Sequence, residues 1–463
     1  MRHRQEVARP GAVAAPRAGG RGQPSDGVRE LHDDGDEATS AAGPDAASDS
    51  VRTAVAARRR TTPEAAQGSI DMASPFADPA FYRDRYPTYA ALRETSPVAQ
   101  VPLGGVGTAT VVTGYEAARR AFTAPLSKDT GAYFADKPSG RSLHPAVTRT
   151  MLATDPPEHT RLRRLVAKAF TSARVDGLRP YIRSLAEELT DHWEPGAEVD
   201  LIAELAAPLP VIVICQLLGV PPADRDSISG WSTDLFATGD HDRIDSASHA
   251  LADYLAELIA TRRTVPDGSL LSGLIAVRDG DSGRLGEDEL LSLAVLLLVA
   301  GHETTSAAIG NAVLALLQHP DDLRTLATCP DRIPAAVDEL LRYDAPVSIA
   351  TWRWAPEAVR LGDHGIPAGS PVFVCPGAAN RDPARFADPD RLDLERPDSA
   401  GHLAFGHGIH RCVGAPLAHA EIEIVLRVLL ERFPGLRPAV PPDQLSWRHS
   451  RLVRGLVSLP VRP

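Results

Sequence analysis

The run from Leu290 to Ala300 is eleven residues long with Ser292 its polar member, and it passes directly into Gly301-His302-Glu303-Thr304-Thr305. A helix that is apolar on every side has to be enclosed. A membrane span needs about twenty apolar residues, so this segment, with its helical periodicity continuing to Gln318, is expected to be the core helix of a large domain. Enclosing it takes several other helices, and the pattern offers them at Arg161–Phe170, Leu178–His192, Leu251–Arg263, Ile333–Tyr343 and Ala415–Phe433. A second apolar run, Leu205–Cys215, contains Pro208 and Pro210 and is expected to be broken by them. Val101–Leu103 and Ala109–Thr113 flank a Gly-rich turn and predict a hairpin, followed by a short helix from Tyr115. Strand-like pieces recur at Thr351–Trp354, Val372–Cys375 and Leu456–Leu459. The expected fold class is mainly α with small β-sheets (α+β), in one large domain over residues 72–463.

Residues 1–71 are different in kind. They are rich in Ala, Gly, Pro, Arg, Asp and Ser and lack apolar periodicity, so they cannot bury enough surface to offset chain entropy. We expect a disordered low-complexity tail; Met72 stands where patterned sequence begins. Arg2 and Arg4 are followed by no apolar stretch of the signal-peptide kind, and residues 1–70 carry as many acids as arginines, unlike a transit peptide. The expected location is cytoplasmic, with no membrane attachment. The formal net charge of -11 argues against nucleic acid as the main partner. Cys215, Cys329, Cys375 and Cys412 are far apart and form no CxxC pair, which speaks against a disulfide framework.

The strongest chemical signal is Phe405-Gly406-His407-Gly408-Ile409-His410-Arg411-Cys412-Val413-Gly414, which opens into the helix from Ala415. A thiolate that ligates a haem iron must be shielded from water and stabilised by backbone N–H groups. Gly408 and Gly414 would let the backbone turn tightly round the sulfur, Phe405 would cover it, and the helix N-terminus would favour its charge. Two other readings of the same residues stand beside this one. They are a loop with a buried structural cysteine, and a zinc site at His407, His410 and Cys412, although zinc ligands usually come as spaced pairs.

This loop resembles the haem-thiolate loop of the cytochrome P450 family, and the resemblance extends over about 390 residues from Ser74 to the C-terminus. Glu339-Leu340-Leu341-Arg342 matches the family's Glu-x-x-Arg. The pattern alone is weak, since the chain contains it five times, but here it stands on a long apolar helix about seventy residues before the thiolate loop. Arg396 fits the place of its partner in the family, and the three would form a structural ion network. Ala300-Gly301-His302-Glu303-Thr304-Thr305 matches the oxygen-activation segment. There Gly301 would loosen the helix, Thr304 would bond back to Ala300, and Glu303 and Thr304 would order water and deliver protons. The resemblance also gives His159, Arg163, Arg353 and His410 as donors to the haem propionates, with His159 and Arg163 on one helix face at i, i+4. Arg161, Arg164 and Lys168 fall off that face and could form a basic rim for a redox partner.

The implied protein is a bacterial cytochrome P450 fold with a single large haem domain. It would carry haem b on Cys412 and use O2 as co-substrate to insert one oxygen atom into a small apolar organic substrate. Hydroxylation or epoxidation in secondary metabolism is expected, because Leu298–Gly310 and the thiolate loop look like the macrolide- and polyketide-tailoring branch. No Gly-rich dinucleotide or phosphate loop is present, so no bound flavin or nicotinamide is expected, and electrons would come from a ferredoxin and ferredoxin reductase. Leu297, Val347, Ile349 and Leu452 are the expected apolar wall of the substrate pocket, and the protein is expected to be a monomer. Two rival readings are a peroxide-driven haem enzyme, a variant that usually lacks the acid–alcohol pair present here, and a non-catalytic partner protein of the same fold.

Overall fold

The computed structural model describes residues 74–103, 107–136, 141–168, 170–236, 240–280 and 285–463, and the tail expected over 1–71 lies outside them. The apolar run forms the middle of a helix spanning Glu287–Gln318, apolar on nearly all sides and buried along most of its length. By length and composition this helix could cross a membrane, yet 72% of its apolar window is buried inside the protein, as suits a core helix. Its first turn is acidic (Glu287, Asp288, Glu289), which suits the positive end of the helix dipole, and the Glu289 carboxylate accepts from the Gly286 N–H at 2.7 Å. Pro208–Leu218, His241–Thr264, Leu270–Gly280, Ile333–Tyr343 and Ala415–Arg432 all pack against it. Each Leu or Val buried there contributes about 1.5–3 kcal/mol relative to exposure. The crossings are close: a Cβ on Gly310 would stand 2.5 Å from Ile202 Cδ1, so any larger residue would have to push the tip of that side chain aside.

Pro208 and Pro210 do not break the second apolar run. They occupy the first turn of the helix Pro208–Leu218, where backbone N–H groups have no intrahelical acceptor, and a turn of π-helix at Ile202–Ala206 leads into it. The predicted hairpin forms from Val98–Leu103 and Gly107–Val112, paired antiparallel from Val98↔Val112 to Leu103↔Gly107. The second strand pairs in parallel with Pro371–Val374, which pairs antiparallel with Arg353–Trp354. This sheet carries Arg353 to its place at the edge of the site. The strand expected at Leu456–Leu459 lies further on, at Pro460–Arg462, between Val199–Asp200 and Arg437–Pro438. Leu456 and Leu459 are both core residues, and Leu456 makes only an isolated bridge to Trp447.

On the helix Ile333–Tyr343, the Glu339 carboxylate takes two hydrogen bonds from Arg342, at 2.7 and 2.9 Å, one from Arg396 at 3.2 Å and one from the Asp393 N–H at 2.9 Å. Arg342 also donates to the carbonyls of Asn380, Pro389 and Arg391, and Arg396 to those of Ala387, Asp388 and Arg391. Glu339 and Arg342 are wholly buried. One helix turn is thereby tied to the irregular chain between Asn380 and Arg396, whose carbonyls have no strand to pair with.

Candidate active site

A cavity of about 250 Å3 lies between the central helix and the loop Ala404–Gly414, and Cys412 lines it. The Cys412 N–H donates to Phe405 O at 2.9 Å, closing the loop on itself. Gly406 and Gly408 adopt φ of +70° and +74°, and a Cβ on Gly408 would stand 2.9 Å from Phe122 O, so this turn requires glycine. Gly414 differs from expectation. Its φ is -84°, and a Cβ there would make ordinary contacts, 3.9 Å from Cys412 Sγ, so the second left-handed position of the loop is Gly406. Burial pushes the Cys412 thiol up. The N–H groups of Gly414 and Ala415 and the guanidinium groups of Arg163 and Arg411 pull it back toward the thiolate. Phe405 borders the same cavity. Cys215 and Cys375 are buried with thiols pushed up to about 12, and neither lines the cavity.

At one side of the cavity the structure gathers cations. Arg163, Arg353 and His410 line it; the rings of His159 and His410 stand 3.9 Å apart. Arg163 donates to Arg411 O at 2.5 Å, and Arg353 donates to Thr351 O at 2.9 Å and lies over the Phe122 ring. Lys128, which the sequence did not single out, joins them, buried and bonded to the hydroxyl and carbonyl of Thr351. Burial and the neighbouring positive charges hold the His410 imidazole down to about 2 and Lys128 well below an ordinary ammonium, and burial takes Arg353 to about 10. Asp155 pulls Lys128, His159 and Arg353 the other way. Both ring nitrogens of His159 and of His410 are buried without a hydrogen-bond partner in the protein. Cations and donors held out of water in excess over carboxylates suit an anionic guest, and the two propionates of a haem meet that demand beside a cysteine able to ligate its iron. The residues present fit the group. They do not assemble a zinc site: among the described residues no cluster of three or more His, Cys, Asp or Glu suits a metal ion.

Across the cavity stands the central helix. Ala300, Gly301, Thr304 and Thr305 line it. Thr304 Oγ1 makes a long bond to Ala300 O, 3.4 Å, leaving the hydroxyl loosely held by its own helix. The helix continues without interruption through Gly301, where loosening was expected. What glycine permits there is close packing, since a Cβ would stand 3.0 Å from Ile214 Cγ1. Glu303, one residue round the helix from Thr304, does not line the cavity. Its carboxylate is buried and directed to Arg448, with Thr233 Oγ1 at 3.5 Å and His302 Nε2 at 3.7 Å.

The expected apolar wall divides. Leu297 and Val347 line the cavity. Ile349 instead packs in the core around Phe76, Val101 and Phe373, and Leu452 is half exposed outside the cavity lining. Residues that periodicity could not nominate complete the wall, among them Ile214, Leu296 and Ala350. On the outside, Arg161 is committed to an ion pair with Glu289 at the start of the central helix, while Arg164 and Lys168 are exposed. Lys128 follows the isolated bridge of Ser127 to Trp354 in irregular chain, and only its tertiary burial marks it. Arg448 likewise has no local motif and is found through its contact with Glu303.

Comparison with known proteins finds relatives along nearly the whole of the described chain. The family described as Cytochrome P450 matches residues 229–327 and 333–450. The chain is 48% identical over 395 residues to cytochrome P450 107B1 of Saccharopolyspora erythraea, covering 83% of this chain and 96% of that one. It is 43% identical over 378 residues to the mycinamicin IV hydroxylase/epoxidase of Micromonospora griseorubida, covering 81% and 94%. Among solved structures, the tirandamycin C-bound P450 monooxygenase TamI superposes with a TM-score of 0.77 at 43% identity, covering 83% of this chain and 98% of that one.

Proposed function

The chain belongs to the cytochrome P450 family and is a P450 monooxygenase, and we propose that it hydroxylates or epoxidises a mainly apolar natural product of the macrolide or polyketide type. The observation that carries this reading is the shared cavity: Cys412 on one wall, Thr304 on the other, Arg163, Arg353 and His410 at the rim and aliphatic side chains between. Haem b, ligated by Cys412, would supply the centre for electron transfer and dioxygen activation. The protein's own contribution is positional. Arg163, Arg353, His159 and His410 would hold the propionates, and Lys128 would add charge behind Thr351. Ile214, Leu297 and Val347 would keep the substrate side dry. Thr304 would hold a water by its loosely bonded hydroxyl, and Glu303 would pass protons to it from the solvent side. Electrons would arrive from a ferredoxin and its reductase, with Arg164 and Lys168 the exposed members of the predicted basic rim.

The substrate class is tested by screening macrolide and polyketide compounds for a substrate-induced change in the haem spectrum, then running turnover under labelled dioxygen. One labelled oxygen atom per product molecule, dependent on NAD(P)H with ferredoxin and reductase, is the expected result. Product formed with hydrogen peroxide alone and not with dioxygen and NAD(P)H would establish the peroxide-driven alternative instead.

A further inference from the structure

We propose that Arg448 is the positioning residue that holds the Glu303 carboxylate at a proton-loading position on the solvent side of the central helix. The inference rests on the reading of Glu303 as a proton relay, and it explains why that acid is found turned away from the cavity it should serve. Glu303 is 4% exposed, while Arg448, which grips one of its oxygens, is partly exposed with 28% of its side chain open to solvent. The other oxygen lies 3.5 Å from the hydroxyl of Thr233, an exposed residue on the helix Arg225–Leu235. The carboxylate therefore sits where groups in touch with water reach it, and Thr304, its neighbour in sequence, sits where the cavity is. A side chain that is to carry protons between these two places needs one of them fixed.

Arg448 is itself well anchored. Its N–H donates to Gly455 O at 2.9 Å, and Trp447 bridges Leu456, so it stands at the paired base of a turn of chain running from Trp447 to Leu456. Arg454 stacks on Trp447 at 3.7 Å and is ion-paired to Asp344, which fixes the base of the turn. Gly455 lies against Ala307, one helical turn beyond Glu303, where an added Cβ would stand 3.0 Å from the Ala307 Cβ. In the same turn Val453 bridges Val347, a residue of the cavity wall. The guanidinium is thus placed by backbone pairing and close packing, and a fork of donors on a fixed stem sets the carboxylate in one place.

The consequence is a matter of proton supply. Two electrons and two protons take dioxygen to hydrogen peroxide, and four of each take it to two waters, with the electrons coming from NAD(P)H through ferredoxin and its reductase. Slower proton delivery favours peroxide. The measurement is the ratio of NAD(P)H ending in water to NAD(P)H ending in peroxide, read from oxygen, peroxide and NAD(P)H stoichiometry in the haem-loaded full chain without added substrate. Arg448→Met is expected to lower this ratio about threefold or more, in the same sense as Glu303→Gln, with Arg448→Lys returning it to within about twofold of the parent. The double variant is expected to be no worse than Glu303→Gln alone. Thermal unfolding of the same set reads the contact without turnover, and the loss in the double variant is expected to be smaller than the sum of the single losses. An unchanged ratio in Glu303→Gln would overturn the relay reading on which the inference rests. An unchanged ratio in Arg448→Met beside a lowered one in Glu303→Gln, or additive thermal losses, would overturn the role of Arg448 and leave the relay standing.

Discussion

Glu339→Gln is expected to leave little folded, haem-binding protein. The substitution keeps the shape of the side chain and removes its charge, so Arg342 and Arg396 lose the carboxylate they share. Breaking a buried pair by removing one partner costs about 3–5 kcal/mol, because the remaining charge stays buried without compensation. Here two guanidinium groups are left, both buried, against a total stability of about 5–15 kcal/mol for an ordinary domain. Their many bonds to the carbonyls of Asn380, Ala387, Asp388, Pro389 and Arg391 also make them the clasp on the chain leading to the thiolate loop. Thermal unfolding and haem content of purified protein measure the effect. A Glu339→Gln protein that melts with the parent and holds a full complement of haem would show that the arginine–carbonyl bonds suffice by themselves.

Thr304→Ala should behave in the opposite way, with folding and haem content intact and chemistry misdirected. Alanine is the best helix former, and the bond lost from Thr304 to Ala300 is long, so the helix gives up little. What disappears is a hydroxyl on the cavity wall opposite Cys412. Positioned proton donors typically contribute about 10²–10⁴-fold, so the yield of product per NAD(P)H consumed should fall strongly while peroxide rises. Thr304→Ser should recover much of the yield. An unchanged yield in Thr304→Ala would assign the ordering of water to another group, and Thr305, which also lines the cavity, would be the first to test.

The legible part of this molecule was whatever is written in local patterns. The central helix follows from its apolar run because no solvent-facing stripe breaks it. The thiolate loop could be read because glycines and a cysteine at fixed spacing have few other uses, and Glu339 and Arg342 because i, i+3 spacing puts them on one face. The failures have a common cause in tertiary context. Pro208 and Pro210 look like helix breakers until their place in a first turn is seen. Ile349 sits in the segment that borders the cavity and Leu452 in a separate segment bridged to it at Val347 and Val453, but the first side chain turns into a different core cluster and the second into solvent. Glu303 shares its motif with Thr304, yet a step of one residue round the helix points it at Arg448 instead of the cavity. Lys128 and Arg448 come from irregular segments far away in sequence and carry no pattern of their own.

Cys412 is expected to hold the iron of a haem as thiolate, and the carbon monoxide complex of the reduced protein reads that bond. The full chain should show the red-shifted Soret band of thiolate ligation, and Cys412→Ala should lose it. A Cys412→Ala protein that kept the band, or a parent protein that never showed it, would contradict the assignment and move the ligand to another residue.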